Sequence, residues 1–163
     1  MPSEIDNNMA NETYLTADGA KRFREELNNL KGPLREHLSI RLRAAIQQGD
    51  LSENADYTSA KEEQAFLEGR ILDLETILKN VIIIDEMKKN GEVVEIGSTI
   101  TVQEEEGEPE SYTLVGPQEA NPINGKISFE SPIGQALMNH HKGEIIRIET
   151  PQGFIKLKII DIE

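Results

Sequence analysis

The sequence contains no cysteine and no tryptophan, and only three histidines, His37, His140 and His141. Without thiols, disulfides and thiolate metal centres are excluded, and the histidine positions lack the spacing of a zinc motif. Any catalysis therefore rests on carboxylates, lysines or hydroxyls. Aromatic residues make up 4% of the chain, too few for a large aromatic-lined ligand pocket. No apolar run approaches the roughly 20 residues of a membrane span, and Met1 to Glu12 are polar and acidic, unlike a secretion signal. A soluble cytoplasmic protein with no membrane partner is expected. Positive charge is scarce as well: 17 lysines and arginines face 30 acids, a formal net charge of -13. That charge repels a polyanion at long range and argues against a broad nucleic-acid-coating surface. It gives no direct support for duplex DNA binding.

What is present, in 163 residues with 37% hydrophobic side chains, is enough for one ordinary domain or two small ones. Residues 1–12 show no periodicity and are expected to form a flexible tail. Thr16 then reads as an N-cap, with Asp18 in the first turn where the helix dipole favours an anion. Apolar residues follow at Phe23, Leu27, Leu30, Leu34, Leu38, Leu42 and Ala45, in steps of three and four. This is one buried stripe along a helix. Gly32-Pro33 interrupts it, and because proline lacks an N–H and crowds the carbonyl of Asn29, a kink or local break is expected there. A second stripe runs through Tyr57, Ala60, Gln64, Leu67, Ile71, Leu74, Leu78 and Val81. Two helices of about 30 residues, each roughly 45 Å long, joined by a short turn must run antiparallel. The chain thus reads as a long antiparallel helical hairpin, or coiled coil, over 13–86 with its tip at 49–54. Its seam looks greasy at the base and thin near the turn.

Val81 to Asp85 leave the helical period as a short extended piece, and 87–92 read as a linker. Over 93–163 the pattern changes to short strands and turns: Ser98–Gln103, Ser111–Val115, Lys126–Phe129, Glu144–Glu149 and Phe154–Ile160. Thr150-Pro151-Gln152-Gly153 suits a hairpin turn, and Ser131-Pro132 is an N-cap followed by an N1 proline, starting a short helix through Met138. A small antiparallel sheet packed on one short helix is expected.

The chemically suggestive stretch is the tip, Gly49-Asp50-Leu51-Ser52-Glu53-Asn54-Ala55-Asp56-Tyr57. Two readings of its carboxylates are compatible. In one, Gly49 takes the left-handed position ending the first helix, Asp50 caps the second, and Glu53 completes a capping box. In the other, Asp50 and Glu53 supply oxygen ligands to magnesium. Both acids are ionised at neutral pH, which suits metal ligation better than general-base work. Magnesium usually takes one or two protein carboxylates with phosphate oxygens and waters. The pair alone therefore makes half of a site, and a partner holding phosphates and metal must supply the rest.

Tyr14-Leu15-Thr16, the tip motif, Ala60-Lys61-Glu62-Glu63-Gln64, Glu68-Gly69-Arg70-Ile71 and Ser131-Pro132-Ile133-Gly134 together resemble the bacterial Gre transcript cleavage factors, nearer GreA than GreB. The resemblance runs from about Tyr14 to the C-terminus. It implies an N-terminal coiled-coil hairpin and a C-terminal FKBP-like domain bound at the rim of the secondary channel of RNA polymerase, with the hairpin entering the channel. It implies a monomer that binds no metal tightly and is not a nuclease by itself. In such factors the tip carboxylates, here Asp50 and Glu53, help hold a second magnesium and its attacking water, so that the 3′ end of a backtracked RNA is cut. Gly49, Ser52, Asn54 and Tyr57 would support the tip, and Arg41, Arg43 and Lys61 would contact the RNA 3′ end or polymerase. Such factors are classed with DNA-binding proteins because they act in the transcription complex.

The sequence departs from the family pattern at Ile46, where an arginine or lysine is usual, at Pro33, displaced from the usual Arg-Pro (here Arg35-Glu36), and at Asn139 in place of a common glycine, a residue that accepts left-handed geometry. Rival readings are a channel-binding paralogue that inhibits polymerase, a proline isomerase or chaperone built on the C-terminal domain, and a purely structural coiled-coil adaptor. The intact Asp50/Glu53 pair weighs against the first and the few aromatics against the second.

Overall fold

The computed structural model describes residues 12–86 and 89–163. Of the expected tail only Glu12 falls within them, accepting a 3.0 Å hydrogen bond from the Tyr14 hydroxyl, and Met87 and Lys88 of the expected linker lie outside. Among the described residues no helix is long and apolar enough to cross a membrane. The elements in order are β1 (Thr13–Leu15), α1 (Ala17–Asn29), a π-helical segment (Leu30–Leu34), α2 (Arg35–Gln47), α3 (Ala55–Lys79), β2 (Val81–Ile83), β3 (Thr99–Glu104), β4 (Glu110–Val115), β5 (Lys126–Ser128), α4 (Pro132–Leu137), β6 (Ile145–Thr150) and β7 (Gly153–Ile162). The chain divides into two compact units: one holds the described residues up to Gly19 with those from Ile82 to Glu163, the other Ala20–Val81.

The first unit is built on a five-stranded sheet of order β5-β4-β3-β7-β6. Its pairs are antiparallel except β4 with β5, which run parallel from Thr113 beside Lys126 to Val115 beside Ser128. The expected antiparallel sheet is therefore corrected to a mixed one. A parallel neighbour needs a crossover, and here it is made by two short 3-10 turns, Pro117–Glu119 and Pro122–Asn124, which return the chain to the same end of the sheet. Alternation puts Ile146 and Ile148 of β6, and Leu157 and Ile159 of β7, into one core with Ile100, Val102, Leu114 and Leu137 of α4. Ser131 caps α4 as its residue type predicts, accepting from the Gly134 N–H at 3.1 Å, and Asn139 takes the left-handed geometry with φ 64°.

A strand the sequence reading did not anticipate, β1, pairs with β2. Around them Tyr14, Ile84 and Ile96 form a second small cluster, with the Phe129 ring set edge-on to Tyr14 at 5.6 Å. This explains why Ile82 and Ile83 leave the helical period and join the sheet-bearing unit. Thr16 does cap α1, accepting from the Gly19 N–H at 3.0 Å. Its own amide and hydroxyl both donate at 2.6 Å to the carboxylate of Glu119, an acid buried at 7% exposure. A Cβ at Gly19 would fall 2.1 Å from Glu119 Oε1, so a larger residue there must displace the carboxylate that Thr16 holds.

In the second unit the Gly32-Pro33 interruption does not break the helix. Asn29, Leu34 and Arg35 all keep right-handed helical angles, and the chain widens into a π segment across Leu30–Leu34. The wider turn removes the demand for the N–H that proline lacks. Side-chain pairs link the two helical stretches: Glu26 with Arg70 at 2.6 Å, Lys31 with Glu75, Arg35 with Glu68 at 2.7 Å and Arg41 with Glu63 at 2.6 Å. The expectation of a seam thin near the turn is overturned. Leu38, Leu42, Ala45 and Ala60 are buried toward the turn, while toward the base Ile71 and Leu74 are buried as expected, Phe23, Leu27, Leu30 and Leu78 are half-buried and Leu34 is exposed. Ala45 and Ala60 are small enough to be covered completely, so small volume here marks close packing rather than weak packing.

Candidate functional site: the tip between α2 and α3

Helix α2 ends as its glycine dictates. The Gln48 N–H reaches back to the carbonyls of Ala45 and Ile46, and Gly49 follows at φ 114°, a backbone conformation unfavourable for residues with a Cβ. Helix α3 begins later than a capping box on Asp50 and Glu53 requires. Its N-cap is Asn54, whose Oδ1 accepts from the Tyr57 N–H at 3.0 Å. The capping role expected of Asp50 and Glu53 is therefore corrected. Asp50 instead folds the loop onto itself, its Oδ1 accepting from the Ser52 N–H at 3.0 Å and the Ser52 hydroxyl at 2.7 Å. An aspartate bonding two residues ahead competes with helix initiation, and Asn54 takes over the cap.

Asn54 does more than cap. Its Nδ2 donates to the Ala45 carbonyl at 2.8 Å, so one side chain ties the last turn of α2 to the first of α3. The Thr58 N–H and hydroxyl both reach the Asn54 carbonyl. Tyr57 packs against the Leu38, Leu42 and Ala60 cluster. The tip carboxylates thus project from an anchored loop. Both Asp50 and Glu53 are exposed, and Asp50 Oδ2 and the Glu53 carboxylate have no hydrogen-bond or ion-pair partner among the described residues.

The Ser52 hydroxyl, and then its amide, hold the Asp50 carboxyl below the usual carboxylate range. A pKa depressed by folding means the anion's contribution is in place at neutral pH and lost as pH falls through the native value. Ser52→Ala is expected to move the Asp50 titration up toward the ordinary value near 4, read from its carboxyl carbon by NMR. An unchanged midpoint would remove Ser52 as the cause.

The basic residues divide. Arg41 is engaged by Glu63, Asp56 and Ser59 of α3, and those carboxylates, Glu63 foremost, hold its guanidinium more firmly protonated than usual. Lys61 is exposed, bonding Gln64 at 3.1 Å. Arg43 is exposed and makes no hydrogen bond or ion pair with another described residue, and Ile46 is 51% exposed. The acids engaging Arg41 escaped the sequence reading, although Asp56, Ser59 and Glu63 follow the i, i+3, i+4 rule that puts residues on one helix face.

Magnesium fits these donors in kind, since both are hard anionic oxygens, while in number they supply only part of a coordination shell. Among the described residues no group of three or more histidines or acids is placed to hold a metal.

Comparison with known proteins agrees over nearly the whole chain. Residues 13–83 match the family described as "Transcription elongation factor, N-terminal", and residues 88–163 match "Transcription elongation factor, GreA/GreB, C-term". "Transcription elongation factor GreA" of Caldanaerobacter subterraneus subsp. tengcongensis is 48% identical over 94% of this chain and 99% of its own. The protein of that name from Thermoanaerobacter pseudethanolicus is 46% identical over the same shares, and that from Clostridioides difficile is 45% identical over 93% of this chain and 96% of its own. With both halves matched and the tip motif intact, the chain belongs to the GreA/GreB family of transcription elongation factors.

Proposed function

We propose that this elongation factor acts on bacterial RNA polymerase in the cytoplasm, placing its tip in the secondary channel so that polymerase cleaves the 3′ end of a backtracked RNA. The observation that carries this is the tip itself: two exposed carboxylates on a loop anchored by Ser52 and Asn54, with Asp50 Oδ2 and the Glu53 carboxylate left without a partner among the described residues. The order of side-chain pairs between the helices, from Glu26 with Arg70 to Arg41 with Asp56, supports an antiparallel coiled-coil hairpin. Such a hairpin carries the tip roughly 40 Å from its base at 1.5 Å per residue. The curled sheet with α4 on its core supports an FKBP-like C-terminal domain, which we assign to the channel rim.

Asp50 and Glu53 would hold a magnesium ion jointly with polymerase groups. When bound, that ion supplies charge neutralisation and water activation for hydrolysis of a phosphodiester. The part played by this chain is delivery: it brings two ionised oxygens, orients one through Ser52, and keeps the loop from fraying through Asn54. Arg43 and Lys61, exposed on the two helices, suit contact with the RNA 3′ end or polymerase. Alone, as a monomer with half a site, the protein is not a nuclease.

The test is a stalled elongation complex with 3′-labelled RNA. Adding the protein with magnesium is expected to release short 3′ fragments, and the protein with free RNA to release none. Hydrolysis of free RNA by the protein alone, or no factor-dependent release from the complex, would sink this reading.

A further inference from the structure

Arg41 stands on α2 about two turns before Gly49. Its guanidinium meets three side chains of α3: Nη1 donates to Glu63 Oε1 at 2.6 Å, Nε and Nη2 reach Asp56 Oδ1 at 3.2 and 3.1 Å, and Nη2 donates to Ser59 Oγ at 3.2 Å. The Ser59 hydroxyl in turn lies 3.5 Å from Glu63 Oε1. Beneath this network the contact between the helices is apolar, made by Leu38, Leu42 and Ala60. Apolar burial is non-directional: it resists separation of the helices more than sliding or rotation. A planar guanidinium fork is directional. Sliding by one residue moves a helix by about 1.5 Å, and reacting groups misplaced by about 1 Å lose about 100-fold in rate.

We propose that Arg41, the interhelical guanidinium fork nearest the tip, is a positioning residue that fixes the register of the tip-proximal ends of α2 and α3, and so helps set where Asp50 and Glu53 stand, rather than a contact for RNA or polymerase. Its consequence for activity rests on the cleavage function proposed above. The network stands outside the apolar contact of Leu38, Leu42 and Ala60, so removing it leaves the helices folded and the tip displaced.

The test compares Arg41→Gln, Arg41→Lys and the double variant Asp56→Asn/Glu63→Gln in the stalled-complex assay, titrating each to saturation. All three are expected to lower the maximal cleavage rate about 10- to 100-fold while leaving the half-saturating concentration near that of the parent. Lysine keeps the charge but not the fork. A contact role predicts otherwise: Arg41→Gln would raise the half-saturating concentration, Arg41→Lys would behave like the parent, and Asp56→Asn/Glu63→Gln, which frees the cation, would bind better. That pattern overturns the proposal. Amide hydrogen exchange gives a readout independent of cleavage. The N–H groups of Tyr57 and Thr58, bonded to Asn54, are expected to exchange about 10-fold faster in Arg41→Gln, with Leu74 unchanged. Parent-like exchange at both amides overturns the lock even if the parent stimulates no cleavage, a result that by itself would overturn only the functional reading.

Discussion

Asp50→Asn and Glu53→Gln are each expected to reduce factor-dependent RNA cleavage by about 100- to 1,000-fold, the loss of several kcal/mol of metal-centred stabilisation. Folding should be untouched. An asparagine oxygen still accepts both Ser52 hydrogen bonds, and the Glu53 carboxylate has no partner among the described residues to lose. Surface changes of this kind usually shift stability by less than about 0.5 kcal/mol. Competition with the unlabelled parent for the stalled complex separates binding from chemistry. Both variants should compete as well as the parent. If either cleaves at the parental rate, the carboxylates are a turn and nothing more.

Gly134→Ala is expected to damage the sheet-bearing unit severely. A Cβ at this position would fall 2.0 Å from the Ser128 carbonyl oxygen and 2.8 Å from Phe129 Cα. These are backbone atoms and cannot swing aside as a flexible side chain can. To admit the methyl, α4 must move off the end of β5, disturbing the Ser131 cap and the packing of Leu137. A cost of about 3 kcal/mol follows from overpacking at a rigid contact, large against the 5–15 kcal/mol typical of a domain. The control is Gly69→Ala in α3, where an added Cβ meets nothing within 4 Å and helix propensity favours alanine by about 1 kcal/mol. Urea unfolding monitored by the tyrosine signal and by helicity should show the first variant destabilised and the second unchanged or improved. Parental stability in Gly134→Ala would mean that α4 is less tightly seated than the carbonyl contact indicates.

Where local chemistry is unambiguous, the fold was legible. The 3-and-4 spacing of Leu38, Leu42 and Ala45 and of Ile71 and Leu74 predicts helices and names residues that are in fact buried. Thr16 and Ser131 cap the helices their hydroxyls announce, and Thr150 to Gly153 turn where proline and glycine stand. Legibility failed where several residues competed for one role. Asp50, Ser52 and Asn54 are all good caps, and the choice of Asn54 depends on the Ala45 carbonyl lying within reach of its amide, a fact about α2. Pro33 was readable as trouble but not as a π segment, because the accommodation depends on the whole helix continuing past it. The parallel entry of β5 depends on how the link across Pro117 and Pro122 closes, which no periodicity reports.

Residue types alone carry the chemistry of the tip: carboxylates at positions 50 and 53, no thiol to compete with them, and a motif specific enough to name a family. How those groups are held is a matter of packing. Ser52 orients Asp50, Asn54 joins two helix ends, and Arg41 is drawn inward onto Glu63 and Asp56. The physical reason is reach. The charge of an acid is local to its residue, whereas the direction in which it is presented depends on hydrogen bonds whose partners, such as Ala45 with Asn54 or Arg41 with Glu63, become neighbours only when α2 and α3 pack.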